Sequence, residues 1–432
     1  MSSSPEHEVI VKIVSAALLA YLAINGISTT CAQTLTIVPN HILIDETTAI
    51  QATGLKPDEH VIIQAELVDG DARTWKSEAE FVADHEGTID VTKQAPVKGS
   101  YRECSAMGLV WSMKPETKEA HIYRPPHALE SQTIRFALVR DGTAVSSAQL
   151  EQMTMRPGVR QIHVDGLLHG VLFVPDAPGK HPGILVVGGS EGGMPMRRAA
   201  WLASHGYPAL ALAYFHSEGL PDMLQNIPLE YFGRALNWMA QRPEIDGEHL
   251  AVVGTSRGGE LALQLGSMYS VIKAVVAYVP ANVRYPACCG RMMGAAWTWN
   301  GEPLEYAMPG LNRSMSRDLM KGAIHVEVTS GPILLISGQE DGIWPSSEMT
   351  NAVADRLRLA HFAYPVERLD YPHAGHRAGM PEIVPAWHGG LTHPLTGARE
   401  NLGGTPEGNA ASSLDAAPKV LEFLQRSLPQ AQ

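Results

Sequence analysis

The chain has 432 residues, 45% of them apolar and 18% charged, and its 33 basic against 45 acidic side chains leave a formal charge of −12. That balance supports a large packed core, excludes disorder as a description of the whole, and makes a nucleic-acid backbone a poor partner. At ~150 residues to a domain the length sets a prior of two or three domains, and the four cysteines, Cys31, Cys104, Cys288 and Cys289, suit neither a disulfide framework nor a zinc site.

Ile13 to Ile24 form an apolar run behind Lys12, followed by small and polar residues up to Thr30-Cys31-Ala32. The pattern resembles a secretory signal cleaved after Ala32, so residues 1–32 are expected to be an address rather than part of the fold. The run is shorter than the ~20 residues that span a bilayer, and no other segment is apolar enough to cross one. Cleavage implies export to a periplasm or beyond with no stable membrane insertion; without cleavage the chain is cytoplasmic. Cys104, Cys288 and Cys289 are then expected as free or buried thiols, because adjacent cysteines rarely bond each other.

From Gln33 to about Met155 the hydrophobic period is two. Strands are predicted over Thr34–Val38, His60–Val68, Glu78–Val82 and Thr133–Val139, with a tight hairpin turn at Asp141-Gly142. Residues 33–156 therefore read as an all-β, immunoglobulin-like sandwich. Its titratable groups form no catalytic arrangement, which makes it a structural or substrate-shaping module.

Pro157-Gly158 marks a boundary, and residues 157–432 read as an α/β domain. Val164–Val174 is predicted as a hairpin turning near Gly166. Strands follow over Gly183–Val187, Tyr207–Ala213, Leu250–Val253, Ile272–Val279, Ile333–Ser337 and Val366–Tyr371. Helices are predicted over Arg197–His205, Glu230–Gln241, Gly259–Met268, Ser346–Leu359 and Pro418–Ser427. Continuous apolar strands alternating with helices call for a mainly parallel, doubly wound sheet. Residues 377–416 are expected to be a long excursion with little regular structure.

Gly254-Thr255-Ser256-Arg257-Gly258 is a G-x-S-x-G sequence between a strand and a helix, which makes Ser256 a candidate nucleophile. The Arg257 backbone N–H, at the helix start, then points at a developing oxyanion. A serine hydroxyl needs a base held by an acid, in the chain order Ser, acid, His. Asp341 follows the strand Ile333–Ser337, with Glu340 as the alternative acid. His376 follows the strand ending at Tyr371, with His373 as the alternative base. The second oxyanion donor is expected from the loop Gly188-Gly189-Ser190-Glu191-Gly192-Gly193, as the N–H of Ser190 or Glu191. That loop lacks the G-K-[ST] of a phosphate site, and His373, His376, His388 and His393 lack an acid at zincin spacing, so neither nucleotide nor metal is expected.

Three stretches resemble the type-I acyl-CoA thioesterases and the related bile-acid-CoA:amino-acid N-acyltransferases. They are Gly99-Ser100-Tyr101 continuing to Met107 through Glu116, Leu220-Pro221-Asp222 through Phe232, and Gly254 through Leu263. Gly338 through Asp341 with Trp344, and Tyr371-Pro372 with Gly375-His376, fit the same family. The resemblance runs from about Thr34 to Leu428. It implies an N-terminal β-sandwich followed by an α/β-hydrolase domain, and hydrolysis of acyl-CoA to fatty acid and CoA through an acyl-enzyme, with no cofactor or metal. Carried over, Ser256 attacks the thioester, His376 moves the proton and Asp341 holds the imidazole. The acyltransferase branch uses cysteine as nucleophile and an amine as acceptor; serine here makes water the expected acceptor. Arg377-Ala378-Gly379-Met380-Pro381 departs from the family's acid and proline pair. An exported enzyme would rarely meet CoA, which makes a carboxylesterase acting on another ester the alternative. A local basic patch of Arg197, Arg198, Arg257 and Lys273 would compensate the net charge toward CoA.

Overall fold

A computed structural model describes residues 32–428 apart from 118–121, 128, 165, 290–293, 308–319 and 388–389. The expected signal, Ala32 excepted, lies outside the described residues.

Strict alternation builds the first half. Its strands are β1 (Thr34–Val38), β2 (His41–Leu43), β3 (Ala49–Thr53), β4 (His60–Val68), β5 (Thr74–Val82), β6 (Gln132–Arg140) and β7 (Thr143–Met153). β4 buries Val61, Ile63, Ala65 and Leu67 and turns the intervening residues outward; β5 does the same with Trp75, Ser77, Ala79 and Phe81. One sheet runs β2-β7-β6-β4-β5 and continues into Lys98–Gly99; the other pairs β1, β3 and Ile89–Asp90. Ile37, Ile50, Ile63, Trp75, Phe81 and Phe136 belong to one shared core. The β6–β7 turn falls on Asp141 and Gly142, both at positive φ (49° and 76°), as a two-residue turn matching strand twist requires.

The second half is one eight-stranded sheet: β8 (Arg160–Val164), β9 (His169–Val174), β10 (His181–Val187), β11 (Ala209–Ala213), β12 (Ile245–Thr255), β13 (Ile272–Tyr278), β14 (Ile333–Gly338) and β15 (Val366–Tyr371). The order is β8-β9-β11-β10-β12-β13-β14-β15, antiparallel through β11 and parallel beyond. β11 and β14 are buried along their whole length because helices cover both faces. Helices α1 (Met196–Ser204) and α5 (Pro406–Ser427) pack on one face. Helices α2 (Glu230–Ala240), α3 (Arg257–Met268) and α4 (Ser346–Leu359) pack on the other. From β10 the chain turns one way to β11 and later returns on the other side to β12. That switch opens a crevice at the strands' C-terminal ends. This is an α/β-hydrolase fold preceded by a β-sandwich.

Two expectations need correction. The hairpin lies over Arg160–Val174, with Val164 ending its first strand. The excursion over 377–416 is more ordered than its composition suggests. It contains a two-stranded hairpin, Leu391–Thr392 with Arg399–Glu400, and α5 begins at Pro406 rather than Pro418. Thr405 caps that helix by accepting the Gly408 N–H at 3.0 Å, and Pro406 sits where no N–H is needed. Its buried face here is Ala410, Ser412, Ser413, Ala416 and Ala417, too small and polar to mark a helical period in the sequence.

The stretch after His376 joins the two halves. Ile383 N–H donates to Ile44 O (2.8 Å), Gln152 Nε2 donates to Ile383 O (3.1 Å), and Ala386 N–H donates to Trp111 O (2.9 Å). Glu382 lies between Arg197 (3.4 Å) and Arg377 (3.8 Å), and Arg197 also donates to Thr154 Oγ1 (3.0 Å). Burial alone pushes the Glu382 carboxyl up, but Arg197, Arg377 and Arg198 together hold it below the ordinary 4.5. Its contribution is therefore complete above pH 4.5 and lost as pH falls through the lowered folded value. Glu382→Gln is expected to lower unfolding free energy by about 1–3 kcal/mol near neutral pH. Denaturant midpoints of variant and parent should converge in acid; a gap that stays constant from pH 7 to pH 3 would remove the charge from the explanation.

Candidate active site

β12 ends at Thr255 and α3 begins at Arg257, which leaves Ser256 alone at the turn with φ 57° and ψ −119°. Such dihedrals are costly for a non-glycine residue and persist only where the surroundings enforce them. The enforcement is visible. Ser256 N–H donates to Tyr278 O on the neighbouring strand at 2.8 Å. A Cβ on Gly254 would lie 1.9 Å from Gly258 O, and one on Gly258 would lie 2.3 Å from Gly188 O. The second contact also presses the start of α3 against the loop after β10. Arg257 N–H, in the first turn, is one of the donors a helix leaves unpaired.

Asp341 lies three residues past β14 and His376 five past β15, and the sheet brings both to Ser256. His376 Nε2 is 2.9 Å from Ser256 Oγ, and its Nδ1 is 2.8 and 3.0 Å from the two Asp341 oxygens. Asp341 Oδ1 also accepts the N–H groups of Ile343 (2.9 Å) and Trp344 (3.3 Å). An acceptor so loaded leaves Nδ1 as the protonated nitrogen and Nε2 free to accept from the serine. The alternatives stand apart: Glu340 and His373 pair with each other at 2.8 Å on the surface. Trp344 packs edge-on against His376 at 5.4 Å, and its indole N–H donates to Val279 O at 3.0 Å.

The loop after β10 is tied at several points. Tyr214, kept protonated because burial pushes its hydroxyl up, donates to Gly188 O at 2.7 Å. Glu191 Oε1 accepts the Gly189 N–H at 3.1 Å, and a Cβ on Gly189 would lie 3.3 Å from Ser256 Cβ. Among the described residues no partner takes the N–H of Ser190 or Glu191. Ser190 Oγ instead meets His393 Nε2 at 3.1 Å, and Ser190 O meets the Cys289 sulfur at 3.2 Å. Cys288 and Cys289 are not free thiols but a disulfide between neighbours, with Cys289 at φ 74°, a turn that lets the two sulfurs meet. Cys104 is free and exposed.

Glu260 is a buried neighbour of Ser256 that sequence reasoning missed. It is fully buried one turn into α3 and accepts from Trp297 Nε1 (2.8 Å) and the Tyr285 N–H (3.3 Å), with Arg257 Nε at 3.4 Å. Burial pushes its carboxyl up while Arg257, Trp297, Tyr285 and Arg284 pull it back. An acid in a first helical turn suits the helix dipole, a signal too common to single it out. The four cations expected as a patch do not form one group, although Arg197 and Arg198 both lie near Glu382. Arg257 faces Glu260, Arg197 faces Glu382, Arg198 covers the Tyr278 ring at 4.3 Å, and Lys273 lies at the opposite end of the strands. His373, His376 and His393 each serve a different partner, and His388 lies outside the described residues. Among the described residues no three His, Cys, Asp or Glu side chains converge as metal ligands.

Two family models match the chain. The acyl-CoA thioester hydrolase/BAAT N-terminal region covers residues 45–166, and the BAAT/acyl-CoA thioester hydrolase C-terminal region covers residues 227–430. Acyl-coenzyme A thioesterase 1 of Rattus norvegicus is 30% identical over 404 residues, spanning 89% of this chain and 94% of that one. Acyl-coenzyme A thioesterase 1 of Homo sapiens is 30% identical over 402 residues with the same coverage. Acyl-coenzyme A thioesterase 6 of Mus musculus is 29% identical over 396 residues. The matched models and the 30% identity along nearly the whole length of these relatives place the chain in the acyl-CoA thioester hydrolase/BAAT family.

Proposed function

We propose that the chain hydrolyses acyl thioesters, acyl-CoA first among them, through an acyl-enzyme on Ser256. The observation that carries the reading is the hydrogen-bonded series Asp341–His376–Ser256 in the crevice at the strand ends. Ser256 Oγ attacks the thioester carbonyl carbon and its proton passes to His376 Nε2. The tetrahedral oxyanion takes the Arg257 N–H and the N–H of Ser190 or Glu191. Collapse breaks the carbon–sulfur bond, and His376 protonates the departing thiolate. Water then attacks the acyl ester, its proton goes to His376, and collapse returns that proton to Ser256 and releases the carboxylic acid. No step needs a cofactor or metal. Serine as nucleophile supports water over an amine as acceptor. Residues 33–156 form the sandwich domain in this reading and residues 157–432 the catalytic one.

A second reading, an exported carboxylesterase on a non-CoA ester, is favoured by the paired state of Arg197 and Arg257, which leaves neither guanidinium facing a polyanion. It also fits the apolar run Ile13–Ile24 and cleavage after Ala32. No helix among the described residues is long and apolar enough to cross a membrane. Comparing kcat/KM for acyl-CoA with that for short nitrophenyl esters separates the two readings. The mature N-terminus in each cell fraction supports export if it is Gln33 in the periplasm and removes export if Met1 or Ser2 is retained.

Ser256→Ala is expected to abolish both turnover and covalent labelling by a fluorophosphonate; labelling that survives would move the nucleophile elsewhere. Asp341→Asn should keep the fold but lower kcat by about 1,000- to 10,000-fold, because the wrong imidazole tautomer is then stabilised. Glu340→Gln should leave kcat near the parent's. If the two variants exchange these outcomes, Glu340 takes the acid role.

A further inference from the structure

His393 is buried, 5% exposed, on an element that belongs to neither the sheet nor a helix. It follows the strand Leu391–Thr392, and its own backbone closes the hairpin turn: its N–H donates to Ala398 O (2.8 Å) and its carbonyl accepts the Gly397 N–H (2.9 Å). The ring is oriented by the same turn. Nδ1 accepts the N–H groups of Leu395 (3.2 Å) and Thr396 (3.3 Å), so Nε2 carries the proton. That Nε2–H points at Ser190 Oγ, 3.1 Å away and 203 positions earlier in the chain. Nδ1 is taken up by the turn itself, and the one remaining ring N–H is spent on a serine of the loop after β10.

Ser190 needs such a hold. Gly188 and Gly189 precede it and Gly192 and Gly193 follow shortly after at φ 70° and 71°, so this stretch has little stiffness of its own. An N–H pays no reorganisation cost toward an oxyanion only if it is already fixed. Tyr214 and Glu191 fix Gly188 and Gly189; His393 fixes the next residue. The same strap then continues to Leu402, whose carbonyl accepts the N–H groups of His376 (2.6 Å) and Gly342 (3.2 Å). One segment thus ties the loop beside Ser256 to the loops that carry the acid and the base.

We infer that His393 is a positioning residue for acyl transfer: by donating to Ser190 Oγ it holds the N–H groups of Ser190 and Glu191 in register with Ser256. The inference rests on the proposed role of Ser256 as nucleophile. It concerns the rate of the chemical step, not the binding of the acyl group.

The test measures kcat and KM for acyl-CoA, or for a nitrophenyl ester if that is the better substrate, per active site titrated with a fluorophosphonate. His393→Leu is expected to lower kcat ~10- to 100-fold with KM little changed, as the loss of one oxyanion donor's alignment does. His393→Gln, whose amide N–H reaches the same hydroxyl, should recover most of the loss. Ser190→Ala should lose as much as His393→Leu, and the double variant no more than either single one. Losses that multiply, or an unchanged kcat per titrated site in Ser190→Ala, overturn the inference. A merely structural role would lower the titratable fraction and leave kcat per site intact. Should His393→Leu fail to fold, Ser190→Ala decides alone. An active Ser256→Ala would sink the nucleophile reading itself, whereas an inert Ser256→Ala beside an unimpaired Ser190→Ala would sink only the role of His393.

Discussion

Three stretches of backbone pass within a methyl group's width of one another beneath Ser256, and the rest of the site is arranged around that contact. The strand end at Gly254 meets the carbonyl of Gly258, and Gly258 in turn meets the carbonyl of Gly188. Only glycine permits either approach, since a Cβ would overlap the opposing carbonyl by more than 1 Å of ordinary contact distance. The contact does two things at once. It folds Ser256 into a conformation that lifts its hydroxyl off the sheet, and it sets how far the loop after β10 stands from the start of α3. The N–H groups of Arg257, Ser190 and Glu191 are therefore spaced by main chain, which moves less than side chains do.

Charge near Ser256 is handled by pairing rather than by solvent. Glu260 sits one turn from the serine with no exposure, and Arg257, Trp297 and the Tyr285 N–H share its two oxygens. Burial is the larger influence on the Glu260 carboxyl and leaves it above its ordinary 4.5, with Arg257 pulling it back in part. The Arg257 backbone starts α3 while its side chain meets Glu260 and the Tyr285 carbonyl. The same division recurs at Trp344, whose indole N–H holds the Val279 carbonyl while its backbone N–H and its ring edge bear on Asp341 and His376.

Elements with a strong period were legible in the sequence. The alternation of His60–Val68, the apolar run of Ile333–Ser337 and the helix Ser346–Leu359 reappear with bounds shifted by a residue or less. The G-x-S-x-G turn was legible because its chemistry demands glycine at two fixed places. Proximity of Asp341 and His376 to Ser256 could be reasoned from strand ends, because a parallel sheet puts all its C-terminal ends on one side. What stayed hidden has a common cause. The first turns of α5 bury Ala, Ser and Asn, so no hydrophobic stripe announces them. The vicinal disulfide has no mark in the sequence beyond two adjacent cysteines, and Glu260 and His393 meet partners on remote segments: Trp297 and Tyr285 for one, Ser190 for the other.

The strap over 391–404 shows why composition misleads in this region. Gly is abundant there, and such a stretch reads as slack chain. Its work is done by carbonyls and amides, which every residue carries: Leu402 O takes two N–H groups from the acid and base loops, and bridges join Asp341 to Gly403 and Ala374 to Gly404. Glycine at 403 and 404, both at φ 73°, allows this close passage, for a Cβ on Gly403 would lie 1.9 Å from Glu340 O. The glycines mark a place where main chain must touch main chain, as they do at Gly254 and Gly258. Two constrictions, one under the serine and one beside the histidine, then fix the distance between Ser256 and His376. The side chains between them need only be the right kind, because the spacing is already set by backbone.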